Sequence, residues 1–149
     1  IGIQNGGSIE QLGSPEGIYN QPSTKFVASF MGLANFLPAR LEEGALWTEV
    51  GASPPPHALS ADEGLEVMAR PDCVLLHPSQ SGLATIIDSV FQGDTYLYNV
   101  VLNSGTVIHA TRPHIEKYSV GQRVDVTFCP DHHLLCFVNG QIVDSELSA

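Results

Sequence analysis

The densest set of metal-ligating side chains is the stretch CPDHHLLC, which places Cys129, His132, His133 and Cys136 within eight residues. Thiolate and imidazole are zinc donors, and the compact C-x2-H-H-x2-C spacing offers four of them. The same residues also fit a hairpin. Cys129 then ends one strand and Cys136 sits inside the next, where Leu134, Cys136 and Val138 share a face. A thiol on such a face packs as a small hydrophobe. His132 and His133 fall at the turn tip and point different ways. Packing is the expectation and a metal site the alternative. His57, His77, His109 and His114 are isolated in the sequence and read as structural.

No other constellation suggests catalysis. The sequence contains no G-x-x-x-x-G-K-[ST], no G-x-S-x-G and no H-E-x-x-H. Adjacent carboxylates occur as Glu42-Glu43 and Asp62-Glu63, each beside a glycine in an expected turn. Neighbours in sequence rarely share the geometry that acid–base work needs. No enzyme is expected in this stretch of chain.

Aromatic residues offer a different chemistry. Tyr96 and Tyr98 fall on the same face of one expected strand, the arrangement that OB-type barrels use to stack bases. The electrostatics oppose that use. Six Lys and Arg face 16 Asp and Glu, a formal charge of −10, and the basic residues are scattered. Such a chain repels phosphate backbones and anionic lipid, so neither nucleic acid nor a membrane surface is an expected partner. Core or interface packing is the expected role, with Phe91, Tyr96 and Tyr98 as interface candidates. The three cysteines, Cys73, Cys129 and Cys136, are an odd and sparse set that fits a reducing compartment.

The elements that must position these residues follow from periodicity and punctuation. Ile1 to Leu12 reads as a hairpin turning at Asn5-Gly6-Gly7. Ser14-Pro15-Glu16 is a helix start that Pro22 limits to about one turn. Ser23-Thr24 caps a second helix, with Phe26, Val27 and Phe30 expected on one apolar face and Gly32 as a left-handed cap. From Asn35 the period becomes two. NFLPARL and LWTEV read as paired strands, and Gly51 to Gly64 as a Pro-rich loop. LEVMARP, ATIIDSVFQG, TYLYNVVL, TVIHAT, RVDVTF and LLCFV follow as strands, with hairpin turns at Gly93-Asp94 and Asn103-Ser104-Gly105. HIEKYSVGQRV is a loop, and NGQIVD opens a last hairpin strand. About eight short strands at this spacing suggest a small β-barrel or sandwich. No apolar run reaches the length of a membrane-spanning helix.

The opening residues carry a resemblance. Gly7-x-Ile9-x-Gln11-x-Gly13, Ser14-Pro15-Glu16, Ile18-Tyr19, Pro22, Phe26-Val27-Ala28-x-Phe30-x-Gly32 and Asn35-Phe36-Leu37 form an ordered set. It resembles the region after the catalytic core of ATP-binding-cassette import ATPases, of the maltose, polyamine and ferric-iron group. MARPDCVLL looks like the family's Arg-Pro-Glu/Asp strand. VFQGDTYLYNVVLNSGTVIHA and YSVGQRVDVTFCPD look like its C-terminal regulatory domain, called TOBE. Gly17 stands where the family usually has Glu, and CPDHHLLC is not a family signature.

The resemblance implies a mainly β, OB-like (TOBE) small barrel over residues 33–149. Residues 1–32 would be the end of an ATPase domain and its helical connector. It implies a regulatory and dimerisation domain of an importer's ATP-binding subunit, for ferric iron or polyamine. ATP and Mg would be handled upstream of Ile1, with no cofactor in this stretch. The implied partners are a second copy and, through the parent ATPase, membrane permease subunits. The implied place is the cytoplasm, peripheral to the inner membrane without insertion. The alternative is an OB-like module for a small ligand, an oxyanion or a metal. Related TOBE domains hold oxyanions on backbone amides and small residues, for which Ser104, Gly105 and Gly121 are the kind available.

Overall fold

The computed structural model describes residues 1–54, 63–130 and 134–143. The chain forms two compact units, Ile1–Met68 with residues 133–149, and Ala69–His132. The boundary expected at residues 32 and 33 falls inside the first unit.

The first unit opens with an antiparallel hairpin of β1 (Gly2–Asn5) and β2 (Ser8–Leu12). Helix α1 (Pro15–Asn20) starts as its sequence dictates: the Ser14 hydroxyl accepts from the Gly17 amide at 3.0 Å, and Pro15 occupies the first turn. Thr24 caps α2 (Lys25–Met31) by accepting from the Val27 amide at 3.1 Å. The buried face of α2 differs from the expected one. Val27 and Ala28 are inside, with Val27 packed on Ile3 and Ile18, whereas Phe26 and Phe30 are exposed and face each other at 6.2 Å. Residues i and i+4 share a stripe, and this aromatic stripe lies beside the buried one. Gly32 adopts φ 166° and ψ 174°, so the chain leaves α2 extended instead of through a left-handed cap.

Beyond α2 the expected pair of strands becomes three: β3 (Asn35–Pro38), β4 (Arg40–Glu42) and β5 (Ala45–Thr48). Glu43 and Gly44 both have positive φ, 52° and 74°, which gives the tight β4–β5 turn its matching twist. β6 (Gly51–Ser53) adds to β5, so the Pro-rich segment begins as a strand; residues 55–62 lie outside the described ones. β7 (Leu65–Ala69) runs beside β3.

In the second unit the 3-10 turn Pro71–Cys73 separates β7 from β8 (Val74–Pro78), so MARPDCVLL is not one strand. β9 (Ala84–Phe91), β10 (Thr95–Val101), β11 (Val107–Pro113) and β12 (Arg123–Phe128) complete an antiparallel sheet in the order β11-β10-β9-β12-β8. The unit is mainly β and OB-like in character, and its ladder does not close into a barrel. The sheet curls enough for the edge strands β8 and β11 to approach each other. One glycine is dictated by a close approach to β12: a Cβ at Gly82 would lie 2.4 Å from the Val124 carbonyl oxygen, closer than any side chain permits.

The chain returns to the first unit through β13 (Leu135–Val138) and β14 (Gln141–Ile142), which extend the β7–β3 sheet. Phe137 is fully buried against Ala28 and Met68, and meets the Phe36 ring edge-on at 5.6 Å. The return hairpin also ties to the helical segment, because the Lys25 amide donates to Gly140 and the Ile142 amide to Ser23. β12 and β13 lie in different sheets, so Cys129 and Cys136 do not flank a paired hairpin. β12 pairs with β8 and β9 instead, because β13 is held by β7.

Candidate functional site

Strands β9, β10 and β11 present two faces, with one interruption of the alternation in β9. Ile86, Tyr98, Val100, Ile108 and Ala110 point inward and are buried. The outward rows are read from the register: Val90 with Leu97 and Thr111, Asp88 with Asn99 and His109, Thr85 with Val101 and Val107. Between Asp88 and Ile86 the register slips, and Ile87 is the extra, exposed residue of a bulge. Val90 and Val107 are each 46% exposed, and Phe91 is 63% exposed. The central row is polar, with His109 Nδ1 2.7 Å from Asn99 Oδ1. Asp88 is the only acid in these rows, which makes this face poor in charge on a strongly acidic chain.

On the inner side a column of rings runs from the rim into the core. Phe91 meets Tyr96 edge-on at 5.2 Å, Tyr96 stacks on Tyr98 at 5.7 Å, and Tyr98 meets Tyr118 edge-on at 5.4 Å. Tyr98 is completely buried. Its hydroxyl donates to the Glu116 carbonyl and accepts from the Tyr118 amide, both at 3.1 Å. The Tyr118 hydroxyl donates to the Leu76 carbonyl at 3.0 Å. The Glu116 carboxylate receives Arg112 at 2.8 and 3.1 Å. That charge-assisted contact holds Glu116 below the usual carboxylate range and raises Arg112, whereas burial raises Tyr118. The two tyrosines thus pin the 113–122 loop to the sheet.

The interface candidates therefore separate by depth. Phe91 is on the surface, Tyr96 is half-buried, and Tyr98 is inside with both hydroxyl functions engaged, so its ring cannot meet a partner. The shared face of Tyr96 and Tyr98, legible in the alternation, is the inner face. Val90, Leu97 and Val107, which sequence reading passed over, form the outward apolar set.

Of the candidate metal ligands, Cys129 follows β12 and is partly exposed, and Cys136 is buried in β13. His132 and His133 lie outside the described residues. Among the described residues no three His, Cys, Asp or Glu side chains gather closely enough to hold a metal ion.

The small residues suggested for an oxyanion are occupied locally. The Gly105 amide donates to Leu102 at 2.9 Å and the Gly121 amide to Ile86 at 2.8 Å, which leaves neither N–H for a ligand. The Ser104 hydroxyl donates to Thr106 at 3.0 Å. An open cleft lies elsewhere, where β8 ends and β12 begins. It offers about 470 Å³ between Pro78, Ser79, Gln80, Gln122 and Arg123. Arg123 Nε donates to the Gly82 carbonyl at 3.0 Å, which fixes the guanidinium plane at the cleft wall.

Comparison with known proteins places this geometry. Residues 67–135 match the TOBE domain family. That span contains the whole curled sheet and the ring column. The longer alignments are to proteins named spermidine/putrescine import ATP-binding protein PotA. The one from Pseudomonas fluorescens is 34% identical over 143 residues, covering 86% of this chain and 38% of the relative. The one from Ruegeria pomeroyi is 33% identical over 140 residues, covering 86% and 38%. The one from Borreliella afzelii is 32% identical over 141 residues, covering 88% and 38%. The chain thus spans little more than a third of the length of these curated relatives. Residues 67–135 are thus similar to TOBE domains, and most of the chain is similar to ATP-binding subunits of importers.

Proposed function

We propose that this chain is the regulatory part of the ATP-binding subunit of an importer, and that the imported substrate is a polyamine. The carrying observation is the match of most of the chain to subunits named for spermidine and putrescine, with the TOBE domain inside it. Between the ferric-iron and polyamine branches expected from the sequence, those names favour polyamine. ATP and Mg would then be bound by a part of the parent outside this stretch, and the permease subunits would be reached through that parent, on the cytoplasmic side. The TOBE domain's own role is to hold two such subunits together. A lasting contact keeps the partners at high effective concentration while their nucleotide sites open and close.

The face proposed for that contact is the outer side of β9–β10–β11. Two copies of a chain with formal charge −10 repel each other, so they associate best through a region with few carboxylates. The rows around Val90, Leu97 and Val107 supply such a region. The parentage is tested by reading the gene upstream of the codon for Ile1. A G-x-x-x-x-G-K-[ST] loop in the same frame is the expected result, and a stop codon close upstream would overturn it.

A second reading is favoured by the cleft at Arg123. A guanidinium held at Nε, with serine and glutamine side chains around it, suits a small anion. Calorimetry with molybdate and sulfate, repeated on Arg123→Gln, tests this. Saturable heat lost in the variant supports it, and no heat with either anion removes it.

A further inference from the structure

We propose that Cys73 and Cys129 are a reversible dithiol–disulfide pair that cinches the two ends of the second unit. The placement comes from strand register. In the β8–β12 ladder Val74 is opposite Phe128, and the next step outward pairs Cys73 with Cys129. The Cys129 amide donates to the Cys73 carbonyl at 3.0 Å, so Cys73, at the end of the 3-10 turn, faces Cys129 one step beyond the last ladder pair. Antiparallel neighbours have Cα atoms about 4.5–5.5 Å apart, within the span a disulfide bridges. The Cys129 thiol donates to the carbonyl of Asp72, the residue before Cys73, at 4.0 Å. The second unit runs Ala69–His132, so this one bond would enclose nearly all of it.

The two sulfurs differ in access. Cys73 is 4% exposed and burial pushes its thiol up to about 12, whereas Cys129 is partly exposed. Cys129 therefore reacts first. With a small-molecule disulfide such as oxidised glutathione as oxidant, the Cys129 thiolate attacks one sulfur and expels one glutathione thiolate. A mixed disulfide is left on Cys129. Cys73 then loses its proton, attacks the Cys129 sulfur and releases the second glutathione thiolate. The protein gives up two protons and two electrons, and the external disulfide becomes two thiols. Cys136 is fully buried in the first unit and takes no part.

The experiment equilibrates the reduced chain with mixtures of reduced and oxidised glutathione in the presence of a chelator. Remaining thiols are alkylated under denaturing conditions and peptides are mapped by mass spectrometry. The expected result is one linkage, Cys73 to Cys129, reversed by dithiothreitol, with Cys136 alkylated. The unfolding midpoint should rise by about 5 °C or more on oxidation, because the bond restricts the unfolded chain. Cys129→Ser should abolish the linkage and Cys136→Ser should retain it. Cys129 carrying glutathione while Cys73 stays alkylatable at every ratio would overturn the proposal, as would a linkage through Cys136. Mapping on the unaltered chain decides this even where a variant fails to fold.

Discussion

Tyr98 and Tyr118 brace one another twice: their rings meet edge-on at 5.4 Å, and the Tyr98 hydroxyl accepts from the Tyr118 amide at 3.1 Å. Twenty residues separate them in the chain. The contact fixes the loop between β11 and β12 against the inner face of the sheet.

Removing that hydroxyl isolates its energetic weight. Tyr98→Phe keeps the ring and leaves the Tyr118 amide and the Glu116 carbonyl without it. A buried group losing its partner costs about 1–3 kcal/mol. Urea unfolding is expected to show a loss in that range with an unchanged m-value. A loss near zero would mean that the loop is held by other contacts.

Gly82 tests the close approach of the chain to β12. A methyl group there meets backbone, with no flexible side chain to move aside. Gly82→Ala is expected to cost about 3 kcal/mol through forced displacement. Thermal unfolding measures it, and a neutral substitution would contradict the tight crossing.

Acid sensitivity should trace in part to Glu116. Its carboxyl titrates lower in the folded chain than in the unfolded one, because Arg112 favours the charged form. The folded chain therefore binds its proton less readily. That contribution is complete above the unfolded value and is lost as pH falls through the depressed folded value. Stability measured against pH should fall across this acidic window, and Glu116→Gln should flatten the slope there. The effect is modest, since the Glu116 side chain is 38% exposed and solvent screens the pair.

Much of the local structure is legible from residue types. Ser14 and Thr24 cap the helices because their oxygens reach the free amides, and the Gly93 and Asn103-Ser104-Gly105 turns join the strands expected to pair. What escaped depends on distant parts of the chain. α2 buries Val27 and Ala28, not Phe26 and Phe30, because Ile3 and Ile18 wait on that side. The alternation puts Tyr96 and Tyr98 on one face, but only the curl of the sheet makes that face the inside. The pairing of Cys73 with Cys129 needs the β8–β12 register, and β8 is hidden behind a turn that begins at Pro71. The outward rows around Val90 and Leu97 are distinguishable from core only once the bulge at Ile87 is placed.

The claim that the outer face of β9–β10–β11 holds two copies together is tested most directly by sedimentation velocity. The measurement covers a range of protein concentrations, on the unaltered chain and on Leu97→Arg. A dimer is expected for the chain and a folded monomer for the variant, since a buried unpaired charge disfavours the contact strongly. A chain that stays monomeric at high concentration, or a Leu97→Arg dimer as tight as the original, would contradict it.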